Sequence, residues 1–349
     1  MTMTNVALGK YKHLRGIHCE SACQSRILNA LGLDVCEDLL FGLDGGFGFS
    51  YFPIRGSDPD VIVGKQGILP FKAMKLMGVE VRAHAPRSTE GLLRLLENTP
   101  AALIRVDLGM LPYWGLQGRT SFGGYVVNVI GRQGNDIVVS DCAFDEVQVI
   151  DSPSLEAARS SRKAAPLNPE NRAYEFGAPR GTVKLDAIGP VAARNLCREV
   201  LRPGSRNLGI PGMRQLMKTA PTWPTSKVGD VEDADVLGKV VHIGALERQL
   251  LHFGRQIESF GTGGGLYRPI IERFLRRLAE ATGDDRYLIA ADFFRASGKL
   301  WSGLGQSLLA LADDGSSDAS TADLIDSVVR IVGEVIELET QAFDSLKRV

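Results

Sequence analysis

SFGGYVVNVIGRQGNDIVVSDCAFDEVQVI, residues 121–150, holds two runs rich in Val and Ile on either side of a Gly-Asn-Asp turn. β-Branched residues favour pleated backbone, so the stretch predicts an antiparallel hairpin. Tyr125 then stands near the start of one strand and Asp141 at the end of the next. Those ends are neighbours in an antiparallel pair, and the two side chains are placed to cooperate. A strand aromatic followed by a turn aspartate has the same spacing, and the residues alone leave both readings open.

Outward from the hairpin, AALIRVDL (101–108) predicts a further strand, and helices are expected over about 20–31, 66–77 and 88–98. Gly32 suits the position after the first helix, and Ser88 or Thr89 caps the third. Helices first and strands later give a mixed α+β domain with a mostly antiparallel sheet, residues 1–157. The polar, Pro- and Asn-punctuated stretch ARSSRKAAPLNPENRAYEFGAPRG (158–181) reads as a linker or crossing arm, bounded at 158–185. From residue 186 to 349 the period turns helical, as in VLGKVVHIGALERQLLHFGRQIESF (236–260), and a last helix runs from about Thr321 to Lys347. This half reads as an all-α domain, broken most sharply at FGTGGGLYRP (260–269).

The bulk numbers exclude several classes. A chain of 349 residues accommodates two domains, and 44% hydrophobic with 23% charged residues is ordinary for a globular protein. The net charge of −1 supplies no field for nucleic acid or an anionic membrane. No apolar run suffices for a membrane span, and MTMTNVALGKYKHLRG lacks a signal core, so a cytoplasmic protein is expected. The five cysteines (19, 23, 36, 142 and 197) show no paired spacing and predict reduced thiols. Cys19 and Cys23 lie four apart, but no second His/Cys cluster follows, so no metal site is expected.

Cys19 in GIHCESACQSRILNALG (16–32) stands where the first helix should begin. Unpaired N–H groups and the partial positive charge there favour a thiolate, whereas an isolated thiol is only about 3% ionised at pH 7. A small buried residue is the plainer reading of the same cysteine. The run FGLDGGFGFSYF (41–52), with Gly45 and Gly46, lacks the Lys-Ser/Thr that closes a phosphate loop. It reads either as a shaped loop lining a pocket or as a turn. Asp107 and Trp114 in VDLGMLPYW are candidates to line a pocket, and Arg268 to bind an anion or form a salt bridge.

Together, HCESACQSRILNALGL, CEDLLFGLDGGFGFSYF, VDLGMLPYW, SFGGYVVNVIG, SDCAFDEVQVIDSPSLEAARSS and GTGGGLYRPIIERFLRRLAE occur in an order that resembles the butirosin-biosynthesis protein H family. The resemblance covers nearly the whole chain. It implies a papain-like, cysteine-peptidase-type domain followed by a helical one. It also implies an acyltransferase that moves an acyl group from a carrier-protein phosphopantetheine thioester to an amine, in antibiotic or related natural-product biosynthesis. Cys19 would be the nucleophile and Asp141 the carboxylate that orients the base, with no cofactor beyond the carrier's own phosphopantetheine. The family pattern has histidine after Phe-Gly-Gly, but this chain has Tyr125 there. A phenol is a poor base at neutral pH.

Only His13, His18, His84, His242 and His252 remain as substitutes, and His18 adjoins Cys19 in sequence without facing it along a helix. Three outcomes stay open: a base from elsewhere, transfer without an enzymic base, or loss of transfer. The last leaves a silent binding or scaffold protein, or a pocket turned to hydrolysis or cyclisation through Cys19. An acyl carrier protein would be acidic, and ARSSRK (158–163) and RFLRRL (273–278) are the basic stretches available to meet it. The amphipathic C-terminal helices also suit a homodimer.

Overall fold

The computed structural model describes residues 10–116, 120–181, 184–234, 240–312 and 320–347. The chain forms two compact units, Met1–Leu40 with Ile68–Val183 and Phe41–Gly67 with Lys184–Val349. The first half holds α1 (Cys19–Ala30), α2 (Glu37–Asp44), β1 (Phe47–Phe52), β2 (Val61–Lys65), α3 (Lys72–Leu76), β3 (Val81–His84), α4 (Thr89–Leu93) and β4 (Ala102–Val106). It continues with β5 (Tyr125–Gln133), β6 (Asp136–Ser140), β7 (Gln148–Ile150), α5 (Ser152–Ser160) and β8 (Ala173–Phe176). The second half holds α6 (Leu185–Leu201), α7 (Gly209–Thr219), α8 (Trp223–Ser226), β9 (Asp230–Ala234) and β10 (Val240–Gly244). Four long helices finish it: α9 (Ala245–Glu258), α10 (Arg268–Thr282), α11 (Arg286–Leu309) and α12 (Thr321–Leu346). The fold is mixed, with an antiparallel sheet in one unit and a largely helical C-terminal region in the other. None of the described helices is long and apolar enough to cross a membrane.

In the first unit six strands pair in the order β3-β8-β4-β5-β6-β7, every pairing antiparallel. The predicted hairpin is β5–β6: Gln133 faces Asp136, leaving Gly134 and Asn135 as the turn, with Gly134 at φ +62°. Ala102, Ile104, Val106, Val127, Val129, Ile137 and Val139 put one sheet face into a core shared with Leu155 and Ala158 of α5. Their alternation is the period-2 pattern of a strand. Residues 158–185 are not a linker. They contain β8, which is hydrogen-bonded between β3 and β4, and the Pro and Asn punctuation marks the turns around it. The helix expected over 66–77 shrinks to α3, because Leu69 and Phe71 take left-handed φ of 47° and 51°.

In the second unit the Gly-rich run 41–52 proves to be the end of α2, a turn and strand β1. Gly45 and Gly46 are that turn, at φ +68° and +74°. A Cβ on Gly46 would sit 2.3 Å from the Gln66 carbonyl oxygen, so close backbone approach, not a ligand, explains the glycine. The hairpin β1–β2 stays with the helices because its aromatic residues are part of their core. Phe49 stacks on Trp301, and Phe47 packs edge-on to Phe294.

Arg268 is wholly buried and does not face an anion site. Its Nε and Nη2 donate to the Glu339 carboxylate at 2.7 and 3.1 Å, and Nη1 donates to the carbonyls of Gly48 and Leu266. Phe47 and Trp301 flank the guanidinium at 4.9 and 5.6 Å. The expected final helix is α12, started by a capping box between Ser320 and Asp323.

Breaking a fully buried ion pair from one side strands a charge. Glu339→Ala should therefore cost about 3–5 kcal/mol in urea unfolding. Arg268→Met combined with Glu339→Leu should recover most of that loss. A double variant no better than the single one would show that the pair's hydrogen bonds, not its stranded charge, set the cost.

Candidate active site

The first unit brings together Cys19, Tyr125, Asp141 and Trp114 through four separate elements. Cys19 is the first residue of α1, and the residue before it, His18, is the N-cap. The His18 Nδ1 accepts from the Ser21 amide at 3.4 Å and lies 3.0 Å from the Ser21 hydroxyl. An Nδ1 that accepts leaves the proton of a neutral ring on Nε2. The backbone N–H groups of Ile17 and His18 both donate to Glu37 at the start of α2, which fixes how the chain enters α1. His18 thus has a capping role at the helix terminus.

Asp141 is fully buried immediately after β6. Its Oδ1 accepts from the Tyr125 hydroxyl at 2.6 Å and the Ala143 amide at 3.0 Å. Its Oδ2 accepts from the Trp114 indole at 3.1 Å and the Tyr113 hydroxyl at 3.2 Å. Four donors fill the acceptor sites of a carboxylate. Tyr125 opens β5, as the hairpin reading expects, and Trp114 packs edge-on to it with ring centres 5.9 Å apart. Tyr113 escaped the sequence reading. Its only signal was its place beside Trp114 in LPYW, on a 3-10 turn over Pro112–Trp114.

Tyr125 is not a base here. Its single hydroxyl proton is held by Asp141, and burial followed by the Asp141 charge pushes the phenol far above its ordinary range. For the same reason it has no proton left to donate to a bound carbonyl or thiolate. Cys19 packs against the core that contains Tyr125. Burial comes first, then Cys142 and Glu20, in pushing its thiol well above the usual value, while the Val126 backbone works in the other direction. The net push is upward and favours the neutral thiol, although the residue as a whole is only half-buried.

The other expected site residues lie apart from this group or serve structure. Asp107 is buried and accepts from the hydroxyls of Ser121 and Ser161, each at 2.6 Å, and from the amides of Phe122 and Gly109. Burial opposes its charge, but these hydrogen bonds prevail and hold the carboxyl below the usual range. It ties down the loop after β4 and has no atom left for a ligand. Gly45, Gly46 and Arg268 belong to the other unit. His13 bridges Ser140 and the Phe144 carbonyl at 2.7 and 3.1 Å, His84 pairs with Glu175, and His242 and His252 lie in the second unit. Of the basic stretches, Arg159 is buried, and Arg276 is tied to Glu272 and Asp292.

A raised thiol without a base predicts slow alkylation. Peptide-mapped iodoacetamide labelling of Cys19 should be slower at pH 7 than for a free thiol of pKa ~8.5, and should climb about tenfold per pH unit through pH 9. Tyr125→His would put an imidazole against Asp141, and labelling at pH 7 should rise by about 10- to 100-fold. A plateau below pH 8 in the unaltered protein would contradict the neutral thiol.

Residues 18–142 match the family described as butirosin biosynthesis protein H, N-terminal, and residues 153–346 match a domain of unknown function (DUF4872). No curated protein matches the chain. The first match begins at the N-cap of α1 and ends one residue past Asp141, so it contains all of Cys19, Trp114, Tyr125 and Asp141. The chain belongs to the DUF4872 family, whose model covers more than half of it, and its residues 18–142 carry the match to the butirosin biosynthesis protein H N-terminal domain.

Proposed function

We propose that the chain transfers an acyl group from a carrier-protein phosphopantetheine thioester to an amine in antibiotic-type biosynthesis, through an acyl-Cys19 intermediate on a papain-like N-terminal unit. The observation that carries this reading is Cys19 on the first turn of α1, packed against the core that holds the Tyr125–Asp141 pair. The match of residues 18–142 supplies the biosynthetic setting.

The missing histidine alters the reaction without forbidding it, because both halves balance in protons. In the first, the Cys19 S–H bond breaks, sulfur bonds to the acyl carbon, the bond to the pantetheine sulfur breaks, and the proton goes to that departing sulfur. In the second, the amine nitrogen bonds to the acyl carbon, the S–C bond breaks, and one amine proton returns to Cys19. A net base is consumed in neither. Tyr125, with its proton held by Asp141, offers only oxygen lone pairs and acts by accepting a hydrogen bond.

Burial that disfavours the Cys19 thiolate slows attack in the first half, while acyl-Cys19 carries no charge and, once formed, waits for the amine. Incubation with acyl-pantetheine thioesters should then add one acyl mass to the intact protein, persisting until an amine is supplied and lost in Cys19→Ala. The first-half rate should rise with pH through the alkaline range, without a bell. No adduct, or the same adduct in Cys19→Ala, overturns the reading. The elevated thiol also favours a second reading, a silent binding protein of the same fold, which would bind the thioester saturably and leave it intact. Release of free acid or a ring in place of amide would mark a hydrolase or cyclase.

A further inference from the structure

A polar cavity of about 840 Å³ opens in the first unit, apart from the cysteine, lined by Arg87, Arg162, Ser160, Asn168 and Asn171, with the carboxylates of Glu156 and Glu170 also on its wall. Behind the wall lies Arg159, on α5 and wholly buried. Its Nη2 donates to the carbonyl of Asn171, a wall residue, at 3.1 Å and to that of Pro86, beside the wall residue Arg87. Its Nε and Nη1 are buried and have no hydrogen-bond partner among the described residues. A buried guanidinium with open donors is costly, and a carboxylate or phosphate that takes both is the chemistry that relieves it.

Two further features mark the spot as built for a ligand. Glu170 and Asn171, consecutive on the wall, both hold left-handed backbone at φ +55°. Strain of that kind in residues other than glycine gathers at ligand sites. The amides of Asn168 and Asn171 carry buried oxygens that also lack partners, and a rotated amide presents N–H in their place. The cluster is cationic on balance, since Arg87, Arg159, Arg162 and Arg172 outnumber the two acids, one of which, Glu156, also acts on Arg159 by its charge. Glu156 accepts from the amide and hydroxyl of Thr89, and Glu170 pairs with Arg172. Arg87 and Arg162, both exposed at the rim, have no such partner among the described residues.

We infer that this cavity binds a small anion, a carboxylate or a phosphoryl group, with Arg87 and Arg162 on its wall and Arg159 buried behind that wall. The site stands independently of the role of Cys19. Its wall residue Ser161 donates to Asp107, which also fixes the start of the turn leading to Tyr113 and Trp114.

Calorimetric titration of the full chain with inorganic phosphate and, separately, with acetate, at ionic strength held constant by chloride, tests the inference. Saturable binding of either is expected, weakened at least tenfold in Arg87→Ala/Arg162→Ala, whose exposed positions leave folding intact. Arg159→Met should abolish it; if that variant does not fold, the rim variant still decides. Phosphate bound with acetate inert assigns a phosphoryl ligand, and the reverse assigns a carboxylate. Heat no greater than chloride gives for both anions, or binding unchanged in the rim variant, overturns the site.

Discussion

The carboxylate of Asp141 accepts four hydrogen bonds from three separate pieces of chain. Each donor is also a structural fixture: Tyr125 opens β5, Ala143 follows β6, and Tyr113 and Trp114 form the 3-10 turn that begins with Pro112. Burying a carboxylate so completely is tolerable only when every lone pair is met. The register of the β5–β6 hairpin, the course of the loop after β4 and the orientation of Tyr125 are therefore fixed by one constraint. Where a histidine would carry a proton to and fro, Tyr125 completes the fourfold shell and stays a donor.

That constraint changes what Cys19 can do. A cysteine nucleophile is ordinarily activated either by a helix terminus or by an adjacent base. In this chain the helix terminus is present, but burial and the neighbouring Cys142, Glu20 and Asp141 push the thiol the other way. On the proposed reading protons pass between the reactants, since Tyr125, beside Asp141, is already committed as a donor. Thioester exchange suits such a passage better than peptide hydrolysis, where the poor amine leaving group needs a general acid.

The hairpin 121–150 and the helix from Cys19 were legible because their signals are local. Alternating Val and Ile, a Gly-Asn turn and a glycine after the helix each act over a few residues. Strand pairing brought Tyr125 and Asp141 to neighbouring ends without deciding whether they meet, and the 2.6 Å hydrogen bond decides it. What was not legible depends on partners far along the chain. β8 is a four-residue strand amid Pro and Asn, and only its neighbours β3 and β4 make it one. Arg268 follows a Gly-rich run that suggests exposure, yet Glu339, 71 residues on, draws it into the core. Asp107 gave no hint that Ser121 and Ser161 would occupy it. The push of burial on the Cys19 thiol was equally hidden, because it depends on the distant core residues that Cys19 packs against.

The hairpin β1–β2 shows why a division of the chain near residue 157 does not follow the fold. Arg268 needs the carbonyl of Gly48 as well as Glu339. Asp60 is buried and accepts from Tyr51, Ile54 and Trp223, and pairs at 2.9 Å with Lys227. Lys227 in turn donates to the carbonyls of Ile54 and Asp58. Arg268 thus joins Gly48 to Glu339, and Lys227 is held by residues of the early hairpin. A chain cut after residue 157 leaves Asp60 without Lys227 and Trp223, and the remainder leaves Lys227 without Asp60. A charge so stranded costs several kcal/mol, on the order of the whole stability of a domain. The helical unit is therefore complete only when the early hairpin and the late helices are joined in one chain.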